Sequence, residues 1–372
     1  ENRYSLSIIS KKHYLCNMFH LDVNRFIEEK SLFFQKDKIL VALSGGADSV
    51  ALLRVLLALG YTCEAAHCNF HLRGKESDRD ENFVRGLCNE LNILLHVVHF
   101  DTQTYATKHR ISIEMAAREM RYEWFEKLRQ ECDASVIAVA HHRDDSVETF
   151  LLNLIRGTGI NGLKGIAPLN GHIVRPLLNV SRQDILQYLE HLHQDYVTDS
   201  TNLQDEYMRN KIRLNILPML GELNPSVSES IAETANRLAE TSLVYNKEMA
   251  EAKNRVIKRN GNNLKAIHVE RLLTEVAPAS LLFEILYPLG FKPLQIKDIF
   301  HSLSGQPGKR FISPEWEAVR DREYLLLQTR TIESTTDPTP QLCIKTLDLS
   351  DDFIIPKEKD VACLDADKVI RP

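Results

Sequence analysis

Short apolar runs alternate with amphipathic stretches along the first half of the chain. In the amphipathic stretches, apolar side chains recur at the three- and four-residue spacing that predicts helices. The apolar runs predict buried strands at residues 38–43, 61–67, 93–100 and 134–140. The amphipathic stretches predict helices at residues 20–34, 50–59, 77–91, 112–132, 144–156 and 181–193. Buried strands that alternate with helices predict a doubly wound, Rossmann-like α/β fold with a parallel sheet.

The second half of the chain follows a different pattern. Residues 172–178 predict an edge or terminal strand, because Pro176 cannot donate a ladder hydrogen bond in a central strand. From Ile231 to Val256 a narrow apolar stripe predicts one long helix, ended by Asn260-Gly261-Asn262. Shorter helices are predicted at 278–304, and a small sheet at 310–313, 317–320 and 324–328. The stripe on the long helix packs inside a helical domain or forms a dimer seam, so monomer and homodimer both remain open.

These patterns divide the 372 residues into three parts. Residues 1–217 are predicted to form the α/β domain, and residues 218–330 a mainly helical domain with a small sheet. Residues 331–372 are interpreted as a linker and the start of a C-terminal domain that is either truncated or naturally short. Because the first methionine is Met18, residues 1–17 are interpreted as an extension without an assigned function.

Composition and charge narrow the classes of function. The formal net charge of −5 gives no overall attraction to nucleic acid, so any RNA binding must rest on local basic patches. The seven cysteines are scattered without a C-x-x-C pair, which is typical of reduced thiols and disfavours zinc and iron–sulfur sites. No apolar run reaches the roughly 18 residues that span a membrane, and no signal peptide is evident. These features predict a cytoplasmic protein without a membrane partner.

A glycine turn joins the first predicted strand to the helix that follows it. The turn is Ser44-Gly45-Gly46-Ala47-Asp48-Ser49. Its glycines allow a close backbone approach, and the amides and dipole of the helix N-terminus favour phosphate. Ser44 and Ser49 add hydroxyl donors, and Asp48 caps the helix or holds a cation. The lysine-plus-hydroxyl ending of the Walker P-loop is absent, so this is a different phosphate cradle.

Two further polar clusters follow predicted strands, HCNFHLRG at residues 67–74 and HHRDDSVE at residues 141–148. Because ligands bind at the carboxyl ends of parallel strands, we expect the three clusters to converge on one cleft. Asp144, Asp145 and Glu148 lie at helical spacing and suit a cationic amine or a metal, with helix capping as the alternative. Histidines in these clusters favour hydrogen bonding over metal ligation, because the usual zinc-ligand spacing is missing.

Several arginines are candidates for anion binding. Arg118 and Arg121 lie one helical turn apart, and Arg73 follows the second strand. Arg209 and Arg213 belong to a short basic run that can reach an RNA backbone. A solvated helix face is the alternative for each helical pair. The basic residues of the long helix are interpreted as a solvated face.

The glycine turn resembles the PP-loop of the ATP pyrophosphatase family, whose members split ATP between the α and β phosphates. Together with five further motifs, the turn makes the chain similar to the tRNA(Ile)-lysidine synthetase family. These motifs are HCNFHLRG, MAAREMRYEWF, AHHRDDSVETFLLNLIRGTG, DSTN and RNKIR. The resemblance covers about residues 20–217 closely and the helical domain only by its position and type. It implies that residues 1–217 are the catalytic domain and that residues 218–330 bind tRNA.

The resemblance also implies a reaction. Members of the family activate C2 of the wobble cytidine in the CAU anticodon of an isoleucine tRNA with ATP and release pyrophosphate. The ε-amino group of L-lysine then displaces AMP to give lysidine. The implied cofactors are therefore ATP and Mg²⁺, and the implied partners are this tRNA and L-lysine.

Roles for individual residues follow from the same resemblance and from their chemistry. The residues expected to act in catalysis are Asp48, Arg118, Asp145, Glu148 and Arg209. Those expected to bind ATP are Ser44, Gly45, Gly46, Ala47, Asp48, Ser49 and Arg73, with Asp48 also the expected magnesium ligand. Those expected to bind lysine or tRNA are Asp144, Asp145, Glu148, Arg121 and Arg213. The alternatives are a tRNA-thiolating or GMP-forming PP-loop enzyme and a non-catalytic tRNA-binding protein with a relic loop.

Overall fold

The computed structural model describes residues 18–198, 204–259 and 264–330. The predictions for residues 1–17, the DSTN motif at 199–202, the helix stop at 260–262 and the linker at 331–372 lie outside the described residues. The chain divides into two compact units, Glu1–Lys247 and Glu248–Pro372. The predicted domain boundaries at residues 217 and 330 stay predictions. Within the described residues, no helix is both long enough and apolar enough to cross a membrane.

The first unit is built on a six-stranded sheet in the order β3-β2-β1-β4-β6-β5. The strands are β1 Lys38–Ala42, β2 Thr62–Asn69, β3 Leu95–His99, β4 Val136–Ala138, β5 Leu169–Asn170 and β6 Ile173–Val174. All neighbours pair in parallel except β5 and β6. The predicted parallel α/β sheet is thus confirmed. Since β1 lies between β2 and β4, the chain reverses its direction of sheet growth there, which is where such folds form a ligand crevice.

The helices of this unit include α1 at residues 18–29. The others are α2 Ala47–Ala58, α3 Lys75–Glu90, α4 Thr102–His109, α5 Ile113–Glu131, α6 Arg143–Ile155, α7 Arg182–His191, α8 Gln204–Lys211 and α9 Leu217–Leu223. Helix α10, Val227–Val256, begins in this unit and ends in the second. A π-helical turn, Ile212–Ile216, joins α8 to α9. Helix α2 is apolar on nearly every face because it is buried in the main core, where Leu52, Leu53 and Leu56 are fully enclosed.

Two details of this unit differ from the sequence predictions. The edge strand is β5, and β6 lies inside it because the two strands form a short antiparallel pair. Strand β6 ends at Val174, so Pro176 falls beyond the ladder and does not restrict the strand to an edge. Helix α4 was not predicted because its sequence, TQTYATKH, has little apolar periodicity. It is started by Asp101, whose carboxylate accepts a hydrogen bond from the backbone N–H of Thr104 at 3.1 Å.

In its described residues, the second unit contains a five-stranded antiparallel sheet, three further α-helices and a 3-10 turn, Tyr287–Leu289. The helices are α11 Val269–Thr274, α12 Pro278–Leu286 and α13 Pro293–Ser302. The sheet order is β7-β8-β11-β10-β9, with β7 Ile257–Arg259, β8 Leu264–His268, β9 Arg310–Ile312, β10 Trp316–Arg320 and β11 Tyr324–Thr329. Ile267, Leu282, Ile299 and Leu325 meet in its core. Strands β9 to β11 match the predicted sheet, whereas β7 and β8 were missed because they are short and directly follow a long helical pattern.

Candidate active site

The glycine turn connects β1 to α2. Gly45 has φ +94°, a left-handed backbone conformation that glycine adopts without steric cost, and an added Cβ would lie 3.2 Å from Val84 Cγ2. Gly46 is the N-cap of α2 and provides no side-chain cap. The first amide groups of the helix therefore remain open to an anion. Residues 44–49 thus have the backbone geometry of a phosphate cradle.

The two serines of the turn have different surroundings. Ser49 is buried, and its Oγ accepts hydrogen bonds from the backbone N–H groups of Ser44 and Gly45, both at 3.2 Å. It also donates to the carbonyl of Gly46 at 3.0 Å. Ser44 is exposed, and its Oγ lies 3.1 Å from that of Ser49. Ser49 therefore shapes the loop from inside, while Ser44 is the hydroxyl on the accessible side.

Asp48 has two carboxylate oxygens in contrasting environments. Oδ2 accepts a hydrogen bond from Arg182 Nη1 at 2.9 Å. Oδ1 is buried, has no hydrogen-bond partner, and lies 3.8 Å from Nε2 of His142. An unpartnered buried carboxylate oxygen is costly unless a cation or donor reaches it. Mg²⁺ takes one or two carboxylates and completes its shell with water and phosphate oxygens, so this donor fits that ion.

Asp144 and Asp145, at the start of α6, each make a backbone contact. Asp145 Oδ2 accepts from the backbone N–H of His142 at 3.0 Å, as in a capping box. Asp144 Oδ2 accepts from the backbone N–H of Arg182 at 2.9 Å and thereby ties α6 to the start of α7. The capping box thus engages one oxygen of Asp145, and the contact with α7 engages one oxygen of Asp144. The remaining Asp145 Oδ1 lies 3.9 Å from Arg213 Nη2.

Glu148 is 1% exposed and forms a bidentate ion pair with Arg213. Arg213 Nε donates to Oε1 at 2.6 Å, and Nη2 donates to Oε2 at 3.1 Å. Burial raises the pKa of Glu148, and the hydrogen bonds from Arg213 oppose that rise. Burial alone would lower the pKa of Arg213, but the Glu148 carboxylate raises it. The structure therefore brings together two predicted site residues from α6 and the π-helical turn.

His142 links the glycine turn to the acidic cluster. It is 1% exposed, and its Nε2 lies 3.8 Å from Asp48 Oδ1 and 3.5 Å from Asp145 Oδ2. The cradle for phosphate and the carboxylates at the start of α6 are thus within one side chain of each other. The predicted convergence of these two clusters is observed.

The predicted arginines separate into two groups. Arg118 is exposed and lies 5.2 Å from the ring centroid of Tyr122. Arg118 and Arg209 both lie near enough to His141 to lower the pKa of its imidazole. Arg121, also exposed, instead lies 5.1 Å from the ring centroid of Phe70, in the loop after β2. Arg118 and Arg209 therefore belong to one positive region, and Arg121 faces another loop.

Arg73 forms an ion pair with the buried Asp80 at 2.8 Å. Its backbone N–H donates to Ser77 Oγ at 3.3 Å. These contacts hold the loop after β2 against the first turns of α3. The role of Arg73 in nucleotide binding stays a prediction.

Sequence reasoning missed two arginines at the site. Arg182 pairs with Asp48, yet it follows a helix cap and looks like any first-turn residue. Arg175 is buried directly after β6 and donates to Nδ1 of His141 at 3.1 Å. A lone charge within the apolar run IVRPLL was the available signal, because arginine is seldom buried without a partner.

Comparison with known proteins agrees with this geometry. A family model described as a PP-loop domain matches residues 17–220, and one described as a TilS substrate binding domain matches residues 259–330. A tRNA(Ile)-lysidine synthase from Bacteroides thetaiotaomicron is 59% identical over 95% of this chain and 82% of its own length. One from Parabacteroides distasonis is 46% identical over 94% of this chain and 82% of its own length.

Among solved structures, a U34-tRNA thiolase from Methanococcus maripaludis matches with a TM-score of 0.53 and 20% identity. The match covers 62% of this chain and 80% of that one. At this identity the likeness shows a shared fold alone. The two domain matches and the sequence identity over most of the chain show that it belongs to the tRNA(Ile)-lysidine synthase family.

Proposed function

We propose that this protein ligates L-lysine to C2 of the wobble cytidine in the CAU anticodon of isoleucine tRNA. It is an AMP-forming, ATP-dependent carbon–nitrogen ligase. The observation that carries the proposal is the position of His142, which joins the phosphate cradle at Asp48 to the acidic cluster at Asp145. A ligase of this kind needs a nucleotide phosphate and a cationic amine side by side, and this arrangement suits both.

The first half-reaction uses the glycine turn. The cytidine O2 attacks the α-phosphorus of ATP, the bond to the β-phosphate breaks, and pyrophosphate leaves. The open amides at the start of α2 and the Ser44 hydroxyl hold the phosphates. Asp48 Oδ1 would hold Mg²⁺, and the ion would neutralise phosphate charge there. Arg118 and Arg209 stabilise the negative charge that develops.

The second half-reaction uses the acidic cluster. Asp144, Asp145 and Glu148 bind the lysine amino groups, and the ε-amino nitrogen attacks C2 of the activated base as AMP departs. The attacking amine must lose a proton, and a carboxylate with a raised pKa is a better acceptor for it. Glu148 has such a raised pKa because it is buried. Arg213 keeps that carboxylate oriented until the substrate arrives.

Neither alternative function has a comparable observation in its favour. Sulfur transfer through a cysteine thiolate is disfavoured at three of the cysteines that the structure describes, because burial raises the pKa of Cys63 and of Cys68 to about 12 and that of Cys88 to about 11. For a relic loop, the cradle should have decayed, but Gly45, Asp48 and Ser49 retain a consistent hydrogen-bond network. Cytoplasmic location, the roles of Arg73 and Arg121, and the choice between monomer and homodimer stay predictions.

The test is stoichiometric formation of pyrophosphate and lysidine. Purified protein is incubated with ATP, Mg²⁺, labelled lysine and isoleucine tRNA bearing CAU, and both products are counted. The matched control is the same tRNA with uridine at the wobble position, which should give neither product. Pyrophosphate release without lysine in the RNA would overturn the proposal.

A further inference from the structure

Arg175 is a buried arginine without an acidic partner. It is 7% exposed, its guanidinium also hydrogen-bonds the side chain of Tyr122, and among the described residues no carboxylate forms an ion pair with it. Its Nη1 donates to the carbonyl of Ala167 at 2.7 Å, and its Nε donates to Nδ1 of His141 at 3.1 Å. Burying a guanidinium on neutral partners is costly, so a structural role alone explains it poorly.

The hydrogen bond from Arg175 fixes the tautomer of His141. A guanidinium can only donate, so Nδ1 of His141 must accept and carries no proton. In the neutral ring the proton then lies on Nε2. His141 is partly exposed, and no described residue takes a hydrogen bond from this Nε2. The ring therefore presents one fixed N–H donor.

The surroundings of His141 are positively charged. The groups that act on it are Asp145 of α6, Arg175 after β6, Arg118 of α5 and Arg209 of α8. Burial first, and then the three arginines, lower the pKa of His141 to about 4 against the opposing effect of Asp145. Among the side chains that the structure describes, no carboxylate forms an ion pair with Arg118 or Arg209. Three cations around a neutral donor leave an excess of positive charge that a bound anion would balance.

We propose that Arg175 is a positioning residue that holds His141 as a neutral Nε2–H donor to a phosphate group. Arg118 and Arg209 complete this anion site, and the ligand is a phosphoryl group of the nucleotide or the released pyrophosphate. The inference rests on the proposed function, because it assigns a further donor to the same site. A neutral donor binds phosphate oxygens without taking a proton from the lysine that attacks later.

The first test reads the tautomer of the wild-type protein directly. Nitrogen-15 NMR of ring-labelled histidine, assigned with His141→Gln, is expected to show Nδ1 unprotonated and Nε2 protonated from pH 8 to pH 5.5. Addition of inorganic pyrophosphate, or in a second arm of AMP, should shift the Nε2 resonance. A protonated Nδ1, or no shift with either probe, would overturn the proposal. Since neither probe needs tRNA or lysine, failure of lysidine formation would overturn only the proposed function.

The second test separates positioning from folding. Arg175→Met is expected to slow pyrophosphate release about 10²-fold, the usual loss for one preorganised donor. It should also add a pH dependence between pH 5.5 and 7.5, because His141 can then take a proton at Nδ1. Arg175→Lys keeps the charge and should recover part of the rate.

The matched control is Arg320→Met, since Arg320 is also 7% exposed and donates to a backbone carbonyl, that of Leu303, at 2.8 Å. This control should keep the wild-type pH profile. The proposal would be overturned if both variants lost the same fraction of the rate of pyrophosphate release and Arg175→Met kept the wild-type pH profile. That result would mean that Arg175 only stabilises the fold.

Discussion

Single side chains at this site are defined by contacts that cross long stretches of sequence. Arg182 and Asp48 are separated by 134 residues, and Arg213 and Glu148 by 65. Asp48 and Glu148 could be identified from the sequence because each lies in a short motif of neighbouring residues that itself indicates a function. Arg175 and Arg182 were missed because their partners are fixed only by the packing of β4, β6, α6 and α7, which no local pattern encodes.

Asp48 supports a direct prediction. Asp48→Ala is expected to lower pyrophosphate release by at least about 10²-fold, because it removes the only buried carboxylate oxygen without a hydrogen bond among the described residues. Thermal unfolding followed by circular dichroism should stay cooperative. Asp22→Ala serves as the control, since within the described residues the Asp22 side chain makes only an ion pair at 3.9 Å with exposed Arg25. Near-normal turnover in Asp48→Ala would remove Asp48 from the mechanism.

The low pKa of His141 predicts a pH dependence of stability. Burial lowers this pKa to about 4 from the ordinary 6.5. Between these values the unfolded chain binds more protons than the native protein, so the free energy of unfolding falls as the pH is lowered. Urea unfolding at pH 7 and pH 5 should therefore show a smaller loss in His141→Gln than in wild type. The exposed His109→Gln is the control, and an equal loss in all three proteins would contradict the assignment.

Whole elements were predicted well where they are long and periodic. The parallel strands β1 to β4, helix α2 and the long helix α10 all follow clear apolar patterns. The missed elements, α4, α8, α11, β5, β7 and β8, are short or polar, so tertiary contacts rather than local pattern decide them. The loop between β1 and α2 was predicted because glycine adopts the backbone conformations that a tight turn before a helix requires.

This loop gives an element-scale prediction. Gly45→Ala is expected to destabilise the protein by about 1–3 kcal/mol, because its backbone is left-handed and the new Cβ would lie 3.2 Å from Val84. Nucleotide binding should weaken as the cradle distorts. Gly86→Ala, inside α3 with no atom within 4 Å of the added Cβ, should instead stabilise by about 0.5–1 kcal/mol. Urea midpoints and ATP titrations check both changes, and an unchanged midpoint in Gly45→Ala would refute the strain argument.

At the scale of the whole molecule, charge opposes the substrate. The formal net charge is −5, so affinity for an RNA polyanion must come from local basic side chains, such as the exposed Arg118 and Arg209 in one region and Arg121 in another. Composition alone therefore gave no indication of an RNA partner. The sequence motifs did so only through resemblance to a family, since the region of Arg118 and Arg209 depends on the three-dimensional arrangement of α5 and α8.

Salt dependence of tRNA binding tests this distribution of charge. If three arginines contact phosphates, raising salt from about 50 to about 200 mM should weaken tRNA binding about 20- to 40-fold. Replacing Arg121 with Met should lower the slope of log affinity against log salt concentration by roughly the share of one phosphate contact. Lys247→Met on α10 is the control for loss of one surface charge. A salt-independent affinity would show that phosphate contacts do not dominate binding.

The parallel bridge between Gly46 and Val197 has a consequence for the order of folding during synthesis. The backbone N–H of Val197 donates to the carbonyl of Gly45 at 2.9 Å, and Arg182 reaches Asp48 from the same late part of the unit. The nucleotide cradle is encoded early, yet its final shape depends on residues translated about 150 positions later. We therefore expect nascent chains arrested before Val197 has left the ribosome to gain no protease protection from ATP, and longer ones to gain it.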